Sequence, residues 1–228
     1  MPIPVAARAA GRTIEAMNWA RHERHELADL LAAVGPDAAT LDEGWVTRDL
    51  AAHLVIRERR PDAALGIVVR PLAGHSDKVR RQVASRAWGD LVDLVRTGPP
   101  KWSPAAIAPI DRLTNTVEFF VHHEDVRRAS DDWAPRPLDG DLEHELWRRL
   151  KPMSRVLARR APVGLVLRRT NGDEATAKKA GDDGVSVTVT GPASELLLFA
   201  YGRQAHAKVE ITAPNADAAR LLAATLGI

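Results

Sequence analysis

The sequence predicts an α+β chain of two domains, an antiparallel four-helix bundle over 1–160 and a small α+β domain over 161–228. Apolar residues recur at helical spacing through the first two-thirds, between Gly/Pro breaks. At Ala161-Pro162 the period changes to two, and Asn171-Gly172 then supplies a strong hairpin turn.

Ile14, Met17, Leu27, Leu30 and Leu31 predict a first helix from Thr13 to Val34, stopped by Gly35-Pro36. A loop over Asp37 to Val46 follows. Thr47 is the expected N-cap of a second helix, with Asp49 in its first turn and Leu50, His53, Leu54 and Arg57 on one stripe up to Pro61. Three further helices are expected over about Ser76–Arg96, Ile110–Ala129 and Asp139–Arg160. Behind them, Val163–Arg169 and Glu174–Lys179 read as a hairpin and Val185–Thr190 as a half-buried strand. Gly191-Pro192 opens a short helix through Leu196 to Phe199, His206–Ile211 is a last strand, and Asn215–Leu226 a last helix.

Composition narrows the function. The 32 basic and 30 acidic residues nearly cancel, and no long one-sign run marks a nucleic-acid arm, so no nucleic-acid partner is expected. The absence of cysteine excludes disulfides, thiolate zinc fingers and a cysteine nucleophile, so any thiol chemistry would need a thiol from outside. No stretch approaches the roughly 18–20 apolar residues of a membrane span. The N-terminus lacks the charged-then-apolar order of a signal peptide, and a cytoplasmic location is the expectation.

The chemistry concentrates in Asn115–Arg128 and in His53. Glu118 and His122 are four residues apart and share a helix face. Glu118 sits among Val117, Phe119, Phe120 and Val121 with no basic residue one turn away, so a cation must meet it from another helix. A divalent metal ion is one answer and an arginine of a neighbouring helix the other. With His53 on the buried stripe of its own helix, the ligand set would be two imidazoles and a carboxylate. That set suits zinc first, but also non-haem iron, manganese or nickel. Three protein ligands would leave a coordination position open, as catalytic metals require.

Other residues carry weaker expectations. His123 faces about 100° away from His122 and is expected at the surface or behind a ligand. His22 and His25 sit on what reads as a solvated charged face with Glu23 and Arg24. Asp125 is expected to pair with Arg127 or Arg128, or to orient an imidazole. Trp45 and Trp88 read as packing residues near helix starts that could also line a pocket.

Two blocks add a resemblance. Gly44-Trp-Val-Thr-Arg-Asp-Leu-Ala-Ala-His-Leu54 and Val117-Glu-Phe-Phe-Val-His-His-Glu-Asp-Val-Arg127 resemble the signature blocks of the DinB-like, mycothiol-dependent maleylpyruvate isomerase family. Arg57-Glu-Arg-Arg-Pro-Asp62 and Pro71-Leu-Ala-Gly-His75 look like an uncharacterised metal-binding subfamily of it. Gly191-Pro-Ala-Ser-Glu-Leu-Leu-Leu-Phe-Ala-Tyr-Gly-Arg203 looks like the family's second, sterol-carrier-like domain. The resemblance implies a DinB-like bundle holding a divalent metal, usually zinc, through His53, Glu118 and His122, with mycothiol as cosubstrate. It also implies that the C-terminal domain closes over the site and brings Arg203 to an anionic substrate. Arg57, one turn beyond His53, is a second candidate.

The leading reading is therefore a metal-dependent thiol transferase or cis-trans isomerase acting on a small anionic or electrophilic substrate. The alternative is a non-catalytic small-ligand-binding protein with a structural metal, motivated by the apolar Leu196–Phe199 run. A third reading makes Arg57, Arg59, Arg60, Arg80 and Arg81 a protein-docking face, and the bundle leaves room for a homodimer.

Overall fold

The computed structural model describes residues 17–68, 70–100, 108–182 and 184–227. Seven α-helices precede the sheet among the described residues: α1 (Trp19–Val34), α2 (Thr47–Arg59), α3 (Pro61–Val68), α4 (Ala73–Ala84), α5 (Trp88–Thr97), α6 (Ala108–Arg127) and α7 (Gly140–Leu157). Four strands and two helices follow: β1 (Gly164–Arg169), β2 (Glu174–Lys178), β3 (Ser186–Gly191), α8 (Ala193–Ala200), β4 (Glu210–Thr212) and α9 (Asn215–Leu222).

The helical part is more broken than the five expected helices, with seven in their place among the described residues. The run expected over Ser76–Arg96 is two helices, parted at Ser85–Ala87 with neither Gly nor Pro at the break. Arg48 stabilises the break by donating from Nη1 to the carbonyls of Ala84 (2.8 Å) and Arg86 (3.0 Å), which a helix end otherwise leaves without partners. Thr47 is not the N-cap of α2. Val46 holds that position, its N–H reaching Asp49 Oδ2 at 3.4 Å, while the Thr47 hydroxyl donates to Gly35 O at 2.6 Å. Gly35 ends α1 as expected, at a φ of 85°. The portion of the first expected helix before Met17 lies outside the described residues.

The C-terminal part forms one mixed sheet, in the order β2-β1-β3-β4. Gly172, at φ 93°, turns β1 into its antiparallel partner β2. The chain then crosses so that β3 lies parallel to β1, with Leu165 beside Val187 and Leu167 beside Val189. Alternation in β3 is as read, with Val187 and Val189 fully buried. The last strand is shorter than expected and starts later, at Glu210, with His206 in a 3₁₀ turn and 207–209 irregular.

Two apolar cores result. One joins α1, α2, α4 and α5 to Phe119 and Val126 of α6. The other joins α7, the sheet, α8 and α9 to Phe120 and Val121 of α6, so α6 feeds both. Leu196, Leu197, Leu198 and Phe199 lie wholly inside the second core. Helix packing on a sheet thus accounts for the run that motivated a ligand-binding reading. Among the described residues no helix is long and apolar enough to cross a membrane.

Candidate metal centre

α6 is the hub because its successive faces carry chemistry of opposite kinds. One face presents Glu118, His122 and Asp125; the flanking phenylalanines and valines are drawn into the two cores. α2 brings His53 and Arg57 alongside, one turn apart.

Three groups converge on one oxygen of Glu118. Glu118 Oε1 stands 3.3 Å from His53 Nε2, 3.3 Å from His122 Nε2 and 3.3 Å from Arg57 Nε. The donor atoms of His53, Glu118 and His122 all lie within 4.8 Å of one another. An N–H···O bond centres near 2.9–3.0 Å, so these imidazole–carboxylate spacings are long for strong hydrogen bonds. The same spacing is also open to ligands of one tetrahedral ion. With bonds of about 2.0–2.1 Å, neighbouring ligand atoms stand about 3.3–3.5 Å apart. Two imidazoles and a carboxylate therefore fit a divalent cation in this cradle. The arginine that was the alternative partner for Glu118 is present as well, as Arg57.

Electrostatics follow from these contacts. Burial alone would raise the Glu118 pKa, but hydrogen bonding to His122 and His53 and the charges of His122 and Arg57 hold it well below the usual value. Burial lowers the His53 pKa, the neutral form that a ligand requires. For His122 burial also acts downward, but Asp125 and Glu118 push it up to about 10 in the metal-free protein.

Each site residue has a holder. Arg57 Nη1 donates to Asn115 Oδ1 at 2.6 Å; Asn115 Nδ2 donates to Glu58 Oε1 at 3.0 Å; Glu58 is gripped by Arg24 at 2.5 and 2.6 Å. The Trp45 ring lies 5.3 Å from that of His53, so Trp45 borders the centre, whereas Trp88 stacks under Arg48 away from it. Asp125 accepts from His122 Nδ1 at 3.0 Å. Its salt bridge is to Arg203, not to Arg127 or Arg128, both of which turn to Glu124.

Arg203 does not touch the three candidate ligands' metal-facing atoms. It donates from Nε to Asp125 Oδ1 (2.8 Å) and from Nη2 to Asp125 Oδ2 (2.7 Å) and Asp42 Oδ1 (2.7 Å). Asp42, Asp125 and His122 Nδ1 also cluster closely enough to hold an ion. The Arg203 guanidinium already stands between the two carboxylates as their cation. Asp42 Oδ2 has no hydrogen-bond partner and lies 3.6 Å from His122 Nδ1; burial and the Asp125 charge raise the Asp42 pKa.

Two chains are similar in structure: the mycothiol-dependent maleylpyruvate isomerase and a histidine-to-alanine mutant of it. They are 15% and 14% identical to this chain, at TM-scores of 0.57 and 0.59, with 85% of this chain and 90% of that chain covered in each case. The likeness is one of fold. No protein-family model and no curated protein matches the sequence.

Some neighbours of the site were not legible. Asp42 sits in a loop anchored by the Leu41 N–H to Asp125 O at 3.1 Å, a contact with no sequence signature. Tyr201, the single tyrosine of the chain, is pushed up to about 12 by burial and by the Glu118 charge, and stays a neutral hydroxyl. Its position after α8 in the resembling segment was the available hint. His123 is buried rather than at the surface and meets Glu23 Oε2 at 3.1 Å. Glu23 and Arg24 are likewise buried, while His22 and His25 are exposed. Of the arginines suggested as a docking face, Arg59 binds Gly98 O and Thr97 and Arg80 binds Asp49, whereas Arg60 pairs with Asp62 at the surface and Arg81 is exposed.

Proposed function

We propose that this chain is a divalent-metal-dependent enzyme that activates a small thiol of the mycothiol type against a small electrophile, as an isomerase or thiol transferase. His53 Nε2, Glu118 Oε1 and His122 Nε2 would hold the metal, zinc by preference. The observation that carries the reading is the convergence of two imidazoles and a carboxylate, their donor atoms all within 4.8 Å of one another and both Nε2 atoms 3.3 Å from one carboxylate oxygen. The fold likeness to a mycothiol-dependent maleylpyruvate isomerase supports it, as do the two signature-like blocks in the sequence. An ion held here supplies positive charge that lowers the pKa of a thiol at its open position, so that the thiolate exists near neutral pH.

The protein's own residues do the rest. His53, kept neutral by burial, presents a lone pair. Arg57, oriented by Asn115, holds Glu118 and offers a guanidinium to negative charge that builds up on the substrate when the thiolate adds. In the isomerase form, sulfur bonds to one alkene carbon and the π electrons move to a conjugated carbonyl oxygen. Rotation about the new single bond follows, and the sulfur then departs as those electrons return. In the transferase form the electrophile keeps the sulfur and takes a proton. The absence of cysteine agrees with a borrowed thiol.

Elemental mass spectrometry on purified protein, beside a Glu118→Ala/His122→Ala double variant, tests the reading. About one metal ion per chain, absent from the variant, is expected. Cobalt-substituted protein should then gain a sulfur-to-metal charge-transfer band when a low-molecular-weight thiol is added. Equal metal content in both proteins, or no spectral change with any thiol, would sink it.

A further inference from the structure

Asp125 has zero exposure, and every bond to its carboxylate matters because water is excluded. Oδ1 accepts from Arg203 Nε; Oδ2 accepts from Arg203 Nη2 and from His122 Nδ1. The guanidinium lies side-on, in the bidentate geometry that fixes a carboxylate's plane as well as its position. With Oδ2 fixed, His122 is held at both ends of its ring, by Asp125 one turn ahead and Glu118 one turn behind.

Arg203 is itself rigidly placed. α8 ends at Ala200, and Gly202 reverses the chain at φ 88°, where an added Cβ would also meet Leu226 O at 3.0 Å. The Arg203 N–H then bonds Leu198 O at 2.9 Å and its carbonyl accepts from the His206 N–H at 2.9 Å. Its side chain makes four hydrogen bonds, the fourth from Nη1 to Tyr201 O. A guanidinium so committed is built to hold protein groups. Swinging it to a substrate carboxylate would leave Asp125 buried with half its partners.

We propose that Arg203 is a positioning residue acting through Asp125: the pair fixes His122 with a proton on Nδ1 and Nε2 turned to the metal, so that metal affinity depends on a residue from the turn after α8. The proposal rests on the metal reading above. It replaces direct substrate binding as the role of Arg203.

The test is zinc affinity of the full-length protein by competition with a chromophoric chelator, for wild type, Asp125→Asn, Arg203→Met and Arg203→Lys, with thermal melts alongside. Loss of such an outer partner weakens metal binding by about 10–100-fold. That loss is expected for Asp125→Asn and Arg203→Met, with partial recovery in Arg203→Lys, which restores the charge but one donor direction only. A purely structural role would lower the melting point and leave the affinity of the folded protein unchanged. Should Arg203→Met fail to fold, Arg203→Lys and Asp125→Asn decide. Zinc affinity within two-fold of wild type in the folded variants overturns the proposal while leaving the metal reading intact. Wild type that binds no zinc overturns both.

Discussion

Glu118→Gln removes the single carboxylate from the three candidate ligands while keeping its shape. A complete structural zinc site is worth about 10–16 kcal/mol, so one of four ligands accounts for about 3 kcal/mol, or about 100-fold in affinity. With free metal at one hundred times the wild-type Kd, linkage stabilises the folded wild type by about 2.7 kcal/mol. For a chain of 228 residues this raises Tm by about 5–11 °C. At the same concentration the variant is only half saturated, and linkage gives about 0.4 kcal/mol, or about 1 °C. Differential scanning calorimetry on chelator-treated protein, with and without added zinc, reads the contrast directly. Equal shifts in the two proteins would refute the assignment of Glu118. No shift in either would refute the centre itself.

Three further outcomes are expected. His122 is held at about 10 in the metal-free fold against an ordinary 6.5. Its bound proton therefore stabilises that fold fully below about pH 6.5, and the contribution disappears as pH rises through 10. Urea unfolding of chelator-treated protein should show that decline, and His122→Gln should flatten it. Arg57→Met removes a cation beside the ligands, so zinc should bind several-fold more tightly while small anionic inhibitors bind several-fold more weakly; calorimetric titration of each checks the opposed signs. Arg128→Met should destabilise by about 3–5 kcal/mol, because among the described residues Arg128 alone spans Glu124 on α6 and Glu195 on α8, at 2.6–2.9 Å in a buried setting. Denaturant unfolding measures it, and a loss under 1 kcal/mol would contradict the reasoning.

How much was legible differs by residue. The facing of Glu118 and His122 follows from helical periodicity, and so does the burial of His53 on its stripe; these are local facts that four-residue spacing encodes. Asp125 was readable as a partner of something, but its partner was not. Arg127 and Arg128, the nearest arginines in sequence, were outcompeted by Arg203, 78 residues away, because α6 directs the two to Glu124 instead. Glu23 and Arg24 read as a solvated face, since charge on a helix usually stays in water. They are buried because Arg136 and Glu58 arrive from other elements to neutralise them. The break at Ser85–Ala87 escaped for a similar reason: its carbonyls are satisfied by Arg48, not by a local breaker.

Periodicity and turn chemistry are properties of neighbouring residues, so the sequence alone determined the change from helices to a sheet near Ala161, the hairpin at Gly172 and the shared face of Glu118 and His122. Which buried charges find partners depends on elements far apart in the chain meeting in one place. Only the tertiary structure could decide that Arg57 faces the candidate metal centre and that Arg203 stands behind it, because a buried ion is stable only where packing delivers its counterion.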